Sequence, residues 1–499
     1  MSGPDDLSQT PRLSQSRWLW AVGFLLVSAA AIRGVGLGRP LVGNFATRNV
    51  VCAMIARNWA EGRGSVWYPA LDCLAGGGRA FHLVDFPASA YLAGWLWANL
   101  GGSLDVWGRA TSLTFTVAAV GLLVWLVRRR HGDVAALGAG FLLAFSPVAV
   151  IYGQSFMLEA SVMCFTVAAM ACLARWLANG RWVWLAAAGA ALGLAVWTKL
   201  YMLVLLVPWA AEVLWATGVH EGGQRRDRRV WAALVVGAAA VLPAVVWYGH
   251  IYHVSDPAGP LGGRIFYSVR RSAAVHRPPH PLLWSADYYR QVLDDLAGVV
   301  LTPVGFCLAA LGLAHPRWRS YLPWLAACAL LVAALPLKFY RMNYYWMVVL
   351  PPLCILAGLG CEVLLVRLRP RRWAIAGGIA LVLLFSVRHA AGPAWRTPEE
   401  DRGVVTGGQL VQRFTGPDEP VVTMHGTTID LLYYCNRPGW AVAPDTAHLS
   451  RALDAFQRRG ARCLVVAGPA AARPPPAVAR LSVIRQGPGY RICLLPDRR

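Results

Sequence analysis

The stretch TSLTFTVAAVGLLVWLVRRR, Thr111 to Arg130, decides the fold class. It runs apolar for about the 20 residues that cross a bilayer core and stops at three consecutive arginines. Basic residues at the end of such a run fix which side of the membrane that end occupies. The same pattern recurs along the chain. Apolar runs lie at roughly 18–37, 105–127, 134–152, 157–177, 182–198, 200–218, 230–249, 297–315, 321–337, 344–366 and 373–391, which predicts about eleven transmembrane helices.

Composition agrees. The 499 residues are 57% hydrophobic and 14% charged, against about 25% charged in soluble domains. The net charge of +22 does not mark a nucleic-acid binder. The arginines sit in short turns between apolar runs: Arg128 to Arg130, Arg175 and Arg181, Arg225 to Arg229, Arg317 and Arg319, Arg367 to Arg372. All fall on one side once the N-terminus is placed in the cytoplasm. Eleven spans then carry the C-terminus outside. The first run, Trp18 to Ile32, leads straight into the chain and does not read as a cleaved signal.

This topology predicts a mainly α, polytopic membrane domain over residues 1–391, with outer loops at 38–105 and 250–296. A small α/β domain follows over 392–499. There PVVTMH and ARCLVVAG read as buried strands, TIDLLYYCN and SRALDAFQRRG as helices, and the end as a hairpin around Gly487-Pro488-Gly489. In the first loop, Val50 to Glu61 reads as an amphipathic segment. Phe86 to Leu100 reads as an apolar segment lying on the membrane or dipping into it. Of eleven cysteines, Cys52, Cys73, Cys435, Cys463 and Cys493 lie outside the apolar runs, where an oxidising compartment permits a disulfide. No spacing suggests a metal site. His250 and His253 lack a third ligand.

Charge within the spans is scarce at mid-depth, unlike ion-coupled carriers. The ionisable residues gather on the outer side instead: Arg48, Asp72, Asp85, Glu159, Lys199, Lys338 and Arg341. The chain has only two lysines against 45 arginines. Both lysines fall on outer turns, Lys199 in WTKLYM and Lys338 in ALPLKFYRMNYYW, against the orientation bias. Taken singly, each of these residues also fits a plain role as a cap, a turn or a snorkelling side chain. Tyr340, Tyr344 and Tyr345 fit an interfacial aromatic belt. Together they suit a lipid-linked phosphate donor. Cations clamp its phosphate at headgroup level, a carboxylate serves as general base, and the leaving phosphate is neutralised as its charge develops.

The chain resembles the lipid-dependent GT-C glycosyltransferases, in the branch of protein O-mannosyltransferase-like and aminoarabinose-transferase-like bacterial proteins. The marks are TRNVVCAMIARNW, WYPALD, VDFPASAYLAGWLW, GRATSLTFTVAAVGLLVWLVRR, FSPVAVIYGQSFMLEAS, WTK, NYYWMVVLPPLCILAGLG and, in the tail, DLLYYCNRPGW. The resemblance implies an inverting hexosyl or pentosyl transferase of the bacterial inner membrane. It would act on the periplasmic face with a polyprenyl-phosphate sugar as donor and a cell-envelope glycan, lipid or protein as acceptor, and it implies no cofactor. In that family the first outer loop carries the catalytic acid. Aligned on IARN, that position falls here at Val51, with Arg48-Asn49 just before it. Asp85 then becomes the leading candidate base, with Asp72 behind it. Lys199, Lys338, Arg341 and Arg48 match donor-phosphate ligands, and Glu159, Tyr340, Tyr344 and Tyr345 are expected at the substrate. The missing acid at Val51 keeps a second reading open: a non-catalytic binder of lipid-linked glycans, or a flippase partner, on the same fold.

Overall fold

A computed structural model describes residues 13–217, 224–256, 258–275, 280–367 and 372–495. Parts of two basic turns, Arg367 to Arg372 among them, lie outside the described residues. The chain opens with α1 (Gln15–Gly34) and α2 (Ala46–Ala60), then β1 (Ala70–Ala75) and β2 (Gly78–Leu83). Next come α3 (Ala88–Leu100), α4 (Leu104–Arg130), α5 (Asp133–Phe145), α6 (Pro147–Tyr152), α7 (Glu159–Asn179) and α8 (Trp182–Thr198). They are followed by α9 (Leu206–Thr217), α10 (Gln224–Ala239), α11 (Leu242–Val254), β3 (Ile265–Ser268) and α12 (Val269–Val275). The second half holds α13 (Ala286–Asp295), α14 (Thr302–Gly312), α15 (Leu322–Ala334), α16 (Pro336–Arg341), α17 (Trp346–Arg367) and α18 (Arg372–Ala391). The tail adds α19 (Arg402–Val411), β4 (Val421–Met424), α20 (Asp430–Cys435), β5 (Gly439–Ala441), α21 (Leu449–Arg458) and β6 (Cys463–Ala467). It closes with the hairpin β7 (Ser482–Gly487) and β8 (Tyr490–Leu494).

Every predicted apolar run is helical where described. Among the described residues, five helices are long and apolar enough to cross a membrane. A bent pair, 286–300 and 302–312, passes the same test with a turn of 106° at its break. Five further apolar helices are shorter, from 10 to 17 residues. The ends follow ordinary helix chemistry. α4 starts with Asp105 in its first turn and ends on Arg128, Arg129 and Arg130, matching charge to the helix dipole at both ends. α7 starts on Glu159 and stops at Gly180, whose φ of 68° only glycine adopts without strain. Helices pack through small residues. A Cβ at Gly360 would lie 1.9 Å from the carbonyl oxygen of Leu308, so α17 meets α14 backbone to backbone.

Two of the basic turns, Arg128 to Arg130 and Arg317 to Arg319, meet at one end of the bundle. Arg130 forms a two-pronged pair with Glu212, at 2.7 and 2.8 Å, and Arg317 donates to the carbonyl of Arg130. Arg128 pairs with Asp133 and covers the ring of Trp18, which brings the start of α1 to the same end.

The opposite end carries an eight-stranded sheet in the order β3-β2-β1-β5-β4-β6-β8-β7. Strands of the loops at 38–105 and 250–296 and of the tail share it. β2 runs parallel to β3, and Cys73 on β1 pairs with Gly439 on β5. The boundary drawn at Gly392 therefore separates strands that are hydrogen-bonded to one another. Two local readings change. α2 is not amphipathic: it is buried on all sides from Asn49 to Asn58, because its polar end is paired inside the protein. All eleven cysteines are free thiols. α3 exposes Leu92, Trp95 and Leu100.

Candidate active site

A pocket lies between the sheet end of the bundle and the first loop, lined by Arg48, Val51, His82, Asp85, Glu159 and Lys199 among others. Each reaches it for a local reason. Asp85 lies two residues past the end of β2 and precedes Pro87, which caps the start of α3. Glu159 is the first residue of α7, where the helix N-terminus favours a carboxylate. Lys199 sits in extended backbone between α8 and the 3₁₀ turn Leu200–Leu205. That break is what lets a side chain from the end of a span fold back inward.

The Lys199 ammonium bridges both acids, 2.8 Å from Asp85 Oδ2 and 3.2 Å from Glu159 Oε1. Its side chain is 3% exposed, and those of Asp85 and Glu159 are 14% and 3% exposed. Burial pushes the Asp85 pKa up, but Lys199, then Lys338 and Arg48, outweigh it and hold the carboxyl below its usual range. Asp85 is thus an ionised carboxylate at neutral pH.

Aromatic rings floor the cationic side. Lys338 lies over the rings of Tyr345 and Tyr201, at 5.2 and 5.7 Å, and Lys199 lies 5.7 Å over Tyr345 as well. Tyr344 stacks on Tyr345 and meets Phe45 edge-on, while Arg48 sits 6.0 Å over Tyr344. Such faces hold a cation without neutralising it. Among the described residues, neither Lys338 nor Arg48 has a carboxylate within ion-pair distance.

The structure thus brings Arg48, Asp85, Glu159 and Lys199 into one pocket, with Lys338, Tyr344 and Tyr345 beside it. It separates three expected site residues from them. Asp72 is 1% exposed and held at 2.5 Å by both Arg57 and Arg79, with Asn58 on its second oxygen. Arg57 also donates to the carbonyl of Tyr433, so this acid ties the first loop to the tail. Arg341 and Tyr340 are exposed on α16, and neither lines the pocket. Lys199, expected at the phosphate, is taken up by two carboxylates. His82 and Tyr201 were not read from the sequence as site residues. His82 had a usable signal, three positions before Asp85 on a strand leading into it; Tyr201 had only its adjacency to Lys199.

Val51 lines the pocket too. The position where the family resemblance puts the acid is inside the site, and it is apolar; the nearest acids come from Asp85 and Glu159 instead.

A helical bundle capped at one end by loops and tail, with a charged pocket beneath, is the GT-C architecture, and the comparisons agree. Residues 86–247 match the family model described as dolichyl-phosphate-mannose-protein mannosyltransferase. The chain superposes on ArnT from Cupriavidus metallidurans bound to undecaprenyl phosphate with a TM-score of 0.62 at 15% identity, covering 96% of this chain and 98% of that one. It superposes on the oligosaccharyltransferase AglB from Archaeoglobus fulgidus, in complex with an inhibitory peptide and a dolichol-phosphate, with a TM-score of 0.53 at 12% identity, covering 91% and 70%. No curated protein sequence matches the chain. The resemblance to the GT-C glycosyltransferases is thereby borne out: this is a membrane protein with their fold.

Proposed function

We propose that the protein is a membrane glycosyltransferase that moves a sugar from a polyprenyl-phosphate donor to a cell-envelope acceptor on the periplasmic face. The observation that carries this reading is the placing of an ionised, half-buried Asp85 with two cations that have no carboxylate within ion-pair distance among the described residues, Arg48 and Lys338, in and beside one pocket. Asp85 takes the proton of the acceptor hydroxyl or amine as that atom attacks the anomeric carbon. The glycosidic C–O bond to phosphate breaks on the opposite side, so the configuration inverts. Arg48 and Lys338 offset the charge that grows on the departing phosphate. Lys199 keeps Asp85 ionised and fixed, and Glu159 shares that ammonium. The apolar helices beside the pocket offer a path for the polyprenyl tail. The sidedness rests on the arginine turns at the other end of the bundle.

Val51 favours one other reading, a non-catalytic binder of lipid-linked glycans. Comparing envelope glycans and lipids by mass spectrometry in cells with and without the protein gives the transferred sugar. With that substrate and the purified protein in lipid nanodiscs, Asp85→Asn should keep donor binding and cut turnover by about 10²–10⁴. Wild-type turnover in Asp85→Asn would remove Asp85 as the base. Absence of transfer by the wild type from any polyprenyl donor would leave the binder.

A further inference from the structure

His82 is the one pocket-lining group above to which no role has been given. It is 7% exposed and lines the pocket three residues before Asp85. Its imidazole makes no hydrogen bond among the described residues, and its Nδ1 is sealed from solvent without a partner. Leaving a buried polar atom unpaired costs about 1–3 kcal/mol, and among the described residues His82 Nδ1 is the one such side-chain atom on the lining of this pocket. The ring is held in place by aromatic neighbours, stacked 20° from the plane of Tyr267 and tilted against Phe266, both on β3. A strand of the second outer loop thus fixes the orientation of a side chain from the first.

The surroundings limit what His82 can bind. Arg48 in the pocket and Lys338 beside it suit a phosphate, and the pocket's two carboxylates share one lysine. Burial, reinforced by Arg48, depresses the His82 pKa to about 4, so the ring is neutral. A neutral imidazole adds little to phosphate binding and is a weak base beside an ionised aspartate. It offers one N–H and one lone pair, which is the complement of a hydroxyl.

We propose that His82 is a specificity-determining residue that hydrogen-bonds a hydroxyl of the donor's sugar. This rests on the polyprenyl-donor reading above and adds to it a contact that senses the sugar and not the lipid phosphate. The cost of the unpaired imidazole is relieved only when a glycosylated donor is bound. Bare lipid phosphate, the product, leaves it unrelieved.

The test measures binding of undecaprenyl phosphate, undecaprenyl-phosphate mannose and undecaprenyl-phosphate glucose to the full chain in nanodiscs. Wild type should bind at least one glycosylated lipid about tenfold more tightly than the bare phosphate, the worth of one good hydrogen bond. His82→Phe keeps the stacking and removes the hydrogen bond. It should abolish that preference, hold the affinity for bare undecaprenyl phosphate within about twofold, and melt no lower than wild type. His82→Gln, which retains a donor and an acceptor, should recover part of the preference and serves if the phenylalanine variant does not fold. A preference that survives in His82→Phe overturns the proposal. So does equal weakening for bare and glycosylated lipid, which is the mark of a merely structural role, and so does a wild type that binds all three alike. Failure of the wild type to bind undecaprenyl phosphate at all overturns the polyprenyl reading, and the role of His82 with it.

Discussion

Asp85 and Lys199 stand 114 positions apart in the chain, and their charged atoms lie 2.8 Å apart in the fold. Lys199 also touches Glu159, so it is the cation that allows a buried and a half-buried carboxylate to share one site. Removing it leaves like charges facing each other in a desolvated pocket. Lys199→Met should cost about 3–5 kcal/mol of stability. Pairing it with Asp85→Asn should cost less than the two changes summed, because the double variant removes the orphaned charge. Melting of the four proteins in one detergent tests this; additive losses would mean that the contact is energetically idle.

Asp72 should behave differently from Asp85. Its partners Arg57 and Arg79 link the first loop internally and, through Tyr433, to the tail. Asp72→Asn should lower the melting temperature and expose the tail to limited proteolysis, by about 3 kcal/mol for a broken buried pair. Turnover per folded molecule should change little. A variant with wild-type stability and lost turnover would return Asp72 to the chemistry.

Lys338 and Arg341 share one short helix and should separate cleanly. Lys338 lies over two tyrosine rings beside the pocket, whereas Arg341 is exposed. A charge-assisted hydrogen bond to phosphate is worth about 1.5–3 kcal/mol. Lys338→Ala should therefore weaken undecaprenyl phosphate binding roughly tenfold to a hundredfold, and Arg341→Ala should leave it unchanged. Equal losses in both variants would place the phosphate on the outer side of α16.

The tail carries a pH-sensitive contact of its own. His425 at the end of β4 bridges Asp430, at 2.8 Å from Nδ1, and Asp401, at 3.1 Å from Nε2. Burial opposes the imidazolium, but hydrogen bonds to Asp401 and Asp430 outweigh it and push the pKa up to about 9. A folded pKa above the unfolded value, about 6.5, gives stability that is complete below about pH 6.5 and lost as pH rises through about 9. The melting temperature should fall across that window in wild type and stay flatter in His425→Asn. Parallel curves would show that another group sets the slope.

Reporter fusions placed after Arg130 and Arg229 should read cytoplasmic, and a fusion to the C-terminus should read periplasmic. A cytoplasmic C-terminus would mean an odd number of errors among the eleven spans, and the outer-face site would be lost with it.

The helices were legible because the bilayer's demands are written locally: Thr111 to Arg130 announces its length and where it stops. Lys199 and Lys338 stood out for a related reason, since they break the pattern of the arginine turns. Their partners did not. Whether Lys199 faces a phosphate or two carboxylates depends on Asp85 and Glu159 meeting from different loops, and no periodicity encodes that meeting. Asp72 looks like Asp85 in sequence, each an acid in a loop near aromatic residues. Only the arrival of Arg57 and Arg79 from either side separates them. The shared sheet was hidden for the same reason: each strand was readable by itself, but the pairing of Cys73 with Gly439 was not.

That pairing has a bearing on how the molecule comes into being. Arg57 donates to the carbonyl of Tyr433 across 376 positions, and β1, paired on one side with β2, gains its second neighbour only when β5 exists. During synthesis the loop that carries Asp85 is made early, and one edge of β1 stays open while the helices up to α18 are made. The sheet is closed only when the tail arrives. A chain stalled before Gly439 would have its helices and still lack the contact between β1 and β5, so the sheet beside the Asp85 loop is completed last, by the part of the protein farthest from it in sequence.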